Sequence, residues 1–135
     1  MDWPGVTELV ETVTAQIEAG GWQPTVIVAL SRGGFIPATM IAYCLGVKDV
    51  LGMDVQKDEA GRRTIGRYVQ LKYLTGERAL IVDDGIIGGS LLAMTTEAVR
   101  ANGGEPRTCA LTSEGRTTPD YLAKEYPKIP AFPLE

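Results

Sequence analysis

Twice in this chain an almost wholly apolar, β-branched run stops at a glycine-containing break and passes straight into helical spacing. Thr25 to Leu30 (TVIVAL) leads into Ser31-Arg32-Gly33-Gly34 and then Ile36 to Leu45. Arg78 to Val82 (RALIV) leads into Asp83-Asp84-Gly85-Ile86-Ile87-Gly88-Gly89-Ser90 and then Leu91 to Ala101. A strand without polar alternation is covered on both faces, which is the situation of a parallel sheet flanked by helices. The expected fold class is therefore α/β, mainly parallel. A length of 135 residues leaves room for one core, so residues 1–135 are read as a single domain.

The remaining segments fit that frame. Val6, Leu9, Val10, Val13 and Ile17 recur at helical spacing after Asp2 and Pro4, and Gly20-Gly21 closes an N-terminal helix within residues 1–21. Val50 to Val55 reads as a second strand, completing a βαβ unit with the first. The polar stretch Gln56 to Gly66, extended to residue 67, is long enough to be a mobile flap. Tyr68 to Leu74 and Thr108 to Thr112 alternate as strands, and Thr118-Pro119 begins a short helical turn before an irregular tail from Pro127 to Glu135. Residues 118–135 would form a C-terminal hood.

Composition removes several kinds of chemistry. The chain has no histidine, which excludes Ser-His-Asp triads, Cys-His dyads and zinc-histidine centres. Cys44 and Cys109 alone cannot make a four-ligand structural zinc site, and they imply no disulfide framework, so a reducing cytoplasm is expected. A net charge of -4 argues against a nucleic-acid partner. The longest uncharged stretch, Gly33 to Val47, is broken by Gly and Pro and shorter than the ~20 residues of a membrane span. The N-terminus lacks the basic start and apolar block of a secretory signal.

The two breaks are where chemistry is expected. In open α/β sheets ligands bind in the crevice beyond the carboxyl ends of the strands. The second break sets two carboxylates at a strand end and Gly88, Gly89 and Ser90 at a helix start, where backbone N–H groups favour an anion. Carboxylates can accept hydrogen bonds from ribose hydroxyls or hold magnesium through oxygen. The bland alternative is a helix cap and a tight turn. Two adjacent acids at the end of a buried strand with no basic neighbour in sequence are costly unless something pairs with them, which favours a ligand.

The segment Ile81 to Ser90 resembles the phosphoribosyl pyrophosphate (PRPP) motif of the type I phosphoribosyltransferases: two apolar residues, two acids, a short variable stretch, Gly, any residue and Ser/Thr. Ser31-Arg32-Gly33-Gly34 is similar to the pyrophosphate loop of the bacterial xanthine-guanine and hypoxanthine enzymes. Thr118-Pro119-Asp120-Tyr121 and Phe132-Pro133-Leu134-Glu135 are similar to that subgroup's C-terminus. The resemblance covers residues 24 to 135 and implies the type I phosphoribosyltransferase fold. It also implies magnesium-dependent transfer of ribose 5-phosphate from PRPP to a nitrogenous base with release of pyrophosphate, in a homodimer or higher homo-oligomer. Ser90 and the amides of Gly88, Gly89 and Leu91 would then cradle the 5-phosphate. Asp83 and Asp84 would hold the ribose hydroxyls, with Asp84 toward magnesium, and Ser31, Arg32, Gly33 and Gly34 would receive the pyrophosphate. The resemblance counts Arg32, Asp83 and Asp84 as the catalytic set. The family's pyrophosphate loops commonly carry a cis peptide, which is expected here between Ser31 and Arg32. Lys57, Arg62, Arg63, Arg67 and Lys72 are candidates to close over the anionic substrate.

The chain departs from the 6-oxopurine enzymes at the base. Gly85-Ile86-Ile87 carries no third acid for proton transfer at N7, Thr112 falls where those enzymes have a lysine, and Ile129 or Pro130 falls where they have a stacking tryptophan. Thr112, Tyr126 and Phe132 are the residues expected at the base. Efficient use of hypoxanthine, guanine or xanthine is not expected. Four readings stay open: a purine enzyme with altered base choice, a transferase for another base, a PRPP-binding regulator without turnover, and an unrelated α/β binding module.

Overall fold

The computed structural model describes residues 1–30, 32–65 and 71–133. Five parallel strands form the sheet: β1 (Val26–Leu30), β2 (Val50–Met53), β5 (Arg78–Ile86), β6 (Glu105–Ser113) and β7 (Tyr121–Glu125), in the order β2-β1-β5-β6-β7. A separate antiparallel hairpin joins β3 (Val55–Lys57) and β4 (Arg63–Ile65). The helices are α1 (Trp3–Gly20), α2 (Phe35–Leu45) and α3 (Ser90–Ala101).

Every residue of β1 is buried, as an apolar run in a covered strand requires. Alternate side chains serve two cores. Ile27 and Ala29 pack with Leu80, Val82 and Leu111 under the apolar stripe of α1 (Val6, Val10, Val13, Ile17) and α2 (Ala38, Ile41). Val26, Val28 and Leu30 pack with Ala79, Ile81 and Ala110 under Leu92 and Val99 of α3. Asp2 caps α1 by accepting from the Gly5 N–H at 2.9 Å. Cys109 lies fully buried in β6 and burial pushes its thiol up to about 12, whereas Cys44 is an exposed free thiol on α2.

The structure corrects four expectations. The second strand stops at Met53, and Val55–Lys57 turns away to pair with Arg63–Ile65, so the expected flap is a hairpin as far as residue 65; residues 66 and 67 lie outside the described residues. Its tip is closed by Asp58, which accepts from the Arg62 backbone N–H at 2.8 Å and pairs with the Arg62 guanidinium at 3.0 Å. Residues 71–74 form a turn of 3-10 helix rather than strand, and 68–70 are not described. Residues 121–125 are the edge strand β7 and not part of a helical turn, because the edge of β6 offers them a parallel ladder running from Cys109↔Tyr121 to Ser113↔Glu125. The fourth correction concerns β5 and shapes the site.

Candidate active site

The sequence puts the end of the second buried strand at Val82, but β5 continues to Ile86. Its pairing with β1 ends at Ala29↔Val82, while its pairing with β6 runs on to Ile86↔Ser113. Asp83 and Asp84 thus belong to a strand that has outlasted one neighbour, and its freed edge faces the loop that leaves β1. Strand order diverges at this point, with β2 beyond β1 on one side and β6 and β7 beyond β5 on the other. That is the switch-point crevice in which α/β sheets bind ligands.

The loop after β1 folds onto that edge. The Gly34 N–H donates to the Leu30 carbonyl at 2.9 Å, and a Cβ at 34 would overlap the Val82 carbonyl oxygen and lie 2.7 Å from that of Leu30. Only glycine allows this approach. Gly34 therefore holds the loop against the sheet and its amide is already engaged, in contrast to the expectation that it faces pyrophosphate. Gly33 lies against the side chain of Asp84, where a Cβ would sit 2.5 Å from the carboxyl carbon. Ser31, and with it the expected cis Ser31–Arg32 bond, lies outside the described residues.

A cavity of about 850 Å³ opens here, lined by Arg32, Gly33, Asp83 and Asp84, by the start of α2, by Phe132 and Pro133 of the tail, and by Trp3 and Val6 of α1. Asp83 Oδ1 accepts from the Asp84 N–H at 2.9 Å, and Asp84 Oδ1 accepts from the Gly85 N–H at 2.8 Å. Among the described residues, neither carboxylate is in a salt bridge. Desolvation, reinforced by a hydrogen bond and charge repulsion from Asp84, raises Asp83 from the usual carboxylate value to about 8. No cluster of three or more His, Cys, Asp or Glu is present among the described residues. The pair fits magnesium in the manner that ion prefers, with one or two protein carboxylates and the remaining positions left to water and phosphate oxygens.

The glycine loop is not part of this cavity's lining; Gly89 lines a second hollow with Leu92 and Thr117. Gly89 has φ +83° and begins α3 without any side-chain cap, so Asp84 and Ser90 do not serve as helix caps and the first N–H groups of the helix are left to another acceptor. Ser90 and Gly88 are exposed, and Leu91 is half-buried against the core. Thr117, in the connection between β6 and β7, donates to the Gly88 carbonyl at 3.0 Å and lies so close to Gly89 that no Cβ fits there. Thr117 was not legible as a loop clamp, since it is 29 residues from Gly88 in sequence.

The expected base residues separate. Phe132 lines the cavity, but Thr112 is fully buried and donates to the Asp84 carbonyl at 3.1 Å, and Tyr126 lies beyond the cavity beside Lys124. Arg62 is occupied by Asp58, and Lys72 lies over the Tyr73 ring. Trp3 was missed because the spacing of α1 marks only its buried stripe, and Val6 was read only as part of that stripe, not as a residue at the cavity.

Residues 1–132 match the phosphoribosyl transferase domain family. The chain belongs to that family. As a phosphoribosyl transferase domain it is similar to the purine phosphoribosyltransferase of Pyrococcus horikoshii, with 26% identity and a TM-score of 0.87 over all of this chain and 91% of that one. The xanthine-guanine-hypoxanthine phosphoribosyltransferase of Helicobacter pylori shares the fold at 14% identity and a TM-score of 0.76, covering 93% of this chain and 84% of that one. The orotate phosphoribosyltransferase of Pyrobaculum aerophilum is 34% identical over 103 residues, which are 75% of this chain and 51% of that protein. The chain thus spans about half the length of that relative. The phosphoribosyltransferase family and the type I fold expected from the motifs agree with these matches. Among the described residues no helix is long and apolar enough to cross a membrane.

Proposed function

We propose that this protein is a magnesium-dependent phosphoribosyltransferase that moves the ribose 5-phosphate of PRPP onto a ring nitrogen of a nitrogenous base and releases pyrophosphate. The observation that carries this reading is the meeting of Arg32 and Gly33 with Asp83 and Asp84 in one cavity at the sheet's switch point, in a chain of the phosphoribosyl transferase family. Arg32 and the Gly33 backbone face the departing pyrophosphate. Asp83 and Asp84 hold the ribose hydroxyls, and Asp84 would hold magnesium when it is bound. Gly88, Gly89, Ser90 and Leu91 receive the 5-phosphate at the uncapped start of α3.

Bond formation from the base nitrogen to C1 replaces the C1–O bond, whose electron pair leaves with pyrophosphate, and the ring proton of the base passes to that released pyrophosphate. Bound magnesium would offset the charge gathering on pyrophosphate. The protein's own share is to hold the ribose against an incoming nitrogen and to set the Arg32 cation beside the leaving group, so no histidine is needed. Orotate carries a carboxylate and would call for a cation at the base end. Among the described residues lining the cavity, Arg32 is the one cation, and it is committed to pyrophosphate. That favours a neutral base.

A second reading, a PRPP-binding regulator of the same fold, rests on one observation: Gly85-Ile86-Ile87 supplies no acid, with Ile86 buried and Ile87 exposed. Thermal unfolding with PRPP and magnesium is expected to shift upward, and a missing shift overturns both readings. Pyrophosphate release across a panel of bases is then expected for at least one base, and its absence with PRPP bound favours the regulator. The exposed Phe35, Ile36 and Tyr43 of α2 support a homo-oligomer, and two free thiols support a cytoplasmic location. A net charge of -4 argues against a nucleic-acid partner.

A further inference from the structure

Trp3 stands on the first turn of α1, a helix outside the motifs that define the site. It is 44% exposed, although nearly every other large apolar side chain of that helix is buried. Trp3 lines the cavity that also holds the carboxylate pair, together with Phe132 and Pro133 of the tail. The two segments are tied together: the Met1 nitrogen donates to the Ala131 carbonyl at 3.0 Å, next to Phe132 in sequence. Two aromatic residues from opposite ends of the chain therefore flank one opening. Of the described residues lining it, Arg32, Asp83 and Asp84 have charged side chains and the others are apolar or glycine. Thr112 is sealed beneath the strand and cannot reach a base.

Resting on the transferase reading, we infer that Trp3 and Phe132 are the walls of the base subsite, and that this subsite takes a neutral purine by stacking and shape. Three features carry this. A flat bicyclic ring offers the most area to an aromatic wall, and base–aromatic stacking tolerates changes at the ring edge. Among the described residues lining the cavity Arg32 is the one cationic side chain, which disfavours an anionic base, because a carboxylate removed from water without a partner is costly. The cation and acids present are already assigned to the ribose and pyrophosphate. Trp3 also sits on a capped helix rather than a loop, so its ring is held in place before the base arrives.

Calorimetric titrations test this with adenosine 5′-monophosphate, orotidine 5′-monophosphate and PRPP, each with magnesium, on wild type, Trp3→Ala and Trp3→Phe. Trp3→Ala is expected to weaken adenosine 5′-monophosphate about 5- to 150-fold. Trp3→Phe should restore most of that loss, and PRPP, which has no base, should bind all three proteins within about twofold. Orotidine 5′-monophosphate is expected to bind wild type at least about tenfold more weakly than adenosine 5′-monophosphate. Equal affinity of adenosine 5′-monophosphate for wild type and Trp3→Ala overturns the inference. So does a parallel loss of PRPP binding, which would mark Trp3 as a support of the fold, and so does a preference for orotidine 5′-monophosphate. Wild type that binds PRPP but neither nucleotide rejects the base subsite alone, whereas wild type that binds none of the three rejects the transferase reading beneath it.

Discussion

Gly33 and Asp84 touch so closely that a Cβ at position 33 would lie 2.5 Å from the Asp84 carboxyl carbon and Oδ2. The neighbouring Gly34 meets backbone instead, at the Val82 and Leu30 carbonyls. The two glycines should therefore fail in different ways. Gly33→Ala pushes a side chain that can swing aside, so stability should change little while PRPP turnover falls about 100-fold through a displaced carboxylate. Gly34→Ala presses on strands that cannot move, and should cost about 3 kcal/mol of stability. Urea unfolding beside initial rates checks this, and equal stability losses for both variants would contradict it.

Asp84→Asn should weaken PRPP by at least about tenfold, since a charged acceptor in a desolvated cavity is lost. The wild-type affinity should also depend on magnesium, and that dependence should shrink in the variant. Unchanged calorimetric affinity would show that Asp84 is not a PRPP contact.

Asp83 is held at about 8 by burial and by Asp84, above its unfolded value of 3.8. The folded protein therefore binds more protons than the unfolded chain between those limits. Its contribution is fully present below about pH 4 and is lost as pH rises through about 8. In the free protein, the stability difference between wild type and Asp83→Asn should shift against wild type across this window. Parallel urea-derived stability curves from pH 5 to pH 8.5 would mean that Asp83 titrates normally.

Thr117→Val removes the hydrogen bond to the Gly88 carbonyl while keeping the volume beside Gly89. Loss of one such bond should cost about 1 kcal/mol of stability. Ribose 5-phosphate affinity should fall several-fold as the glycine loop loosens, whereas inorganic pyrophosphate should bind with magnesium as before. An equal loss for both ligands would indicate a general disturbance rather than a loop clamp.

Hypoxanthine, guanine and xanthine should be poor substrates. Ile87 is exposed and has no acidic proton to transfer, and Thr112 is buried with its hydroxyl committed to the Asp84 carbonyl. General acid–base help is worth about 10²–10⁴-fold, so kcat/KM for each should lie below about 10⁴ M⁻¹s⁻¹. Initial rates with PRPP and magnesium decide it, and a higher value would mean that proton transfer is supplied by a group other than the missing acid.

Features with local causes were legible before any tertiary contact was known. TVIVAL and RALIV could only be covered strands, because a run without polar alternation has no face to give to water. Asp2, Pro4 and Gly20-Gly21 framed α1, and the two breaks after those strands marked where a ligand could meet backbone and carboxylates. Other features depend on partners distant in the chain. β5 carries Asp83 and Asp84 into the crevice because β6 pairs beyond the point where β1 ends, and β7 is a strand because β6 has an open edge. Thr112 leaves the base site because its hydroxyl finds the Asp84 carbonyl, and Trp3 enters the cavity because packing of α1 brings the chain's first turn beside its tail. Side-chain spacing reports which face of an element is apolar, but not which remote backbone that face will meet. Strand length and cavity membership are set by that meeting.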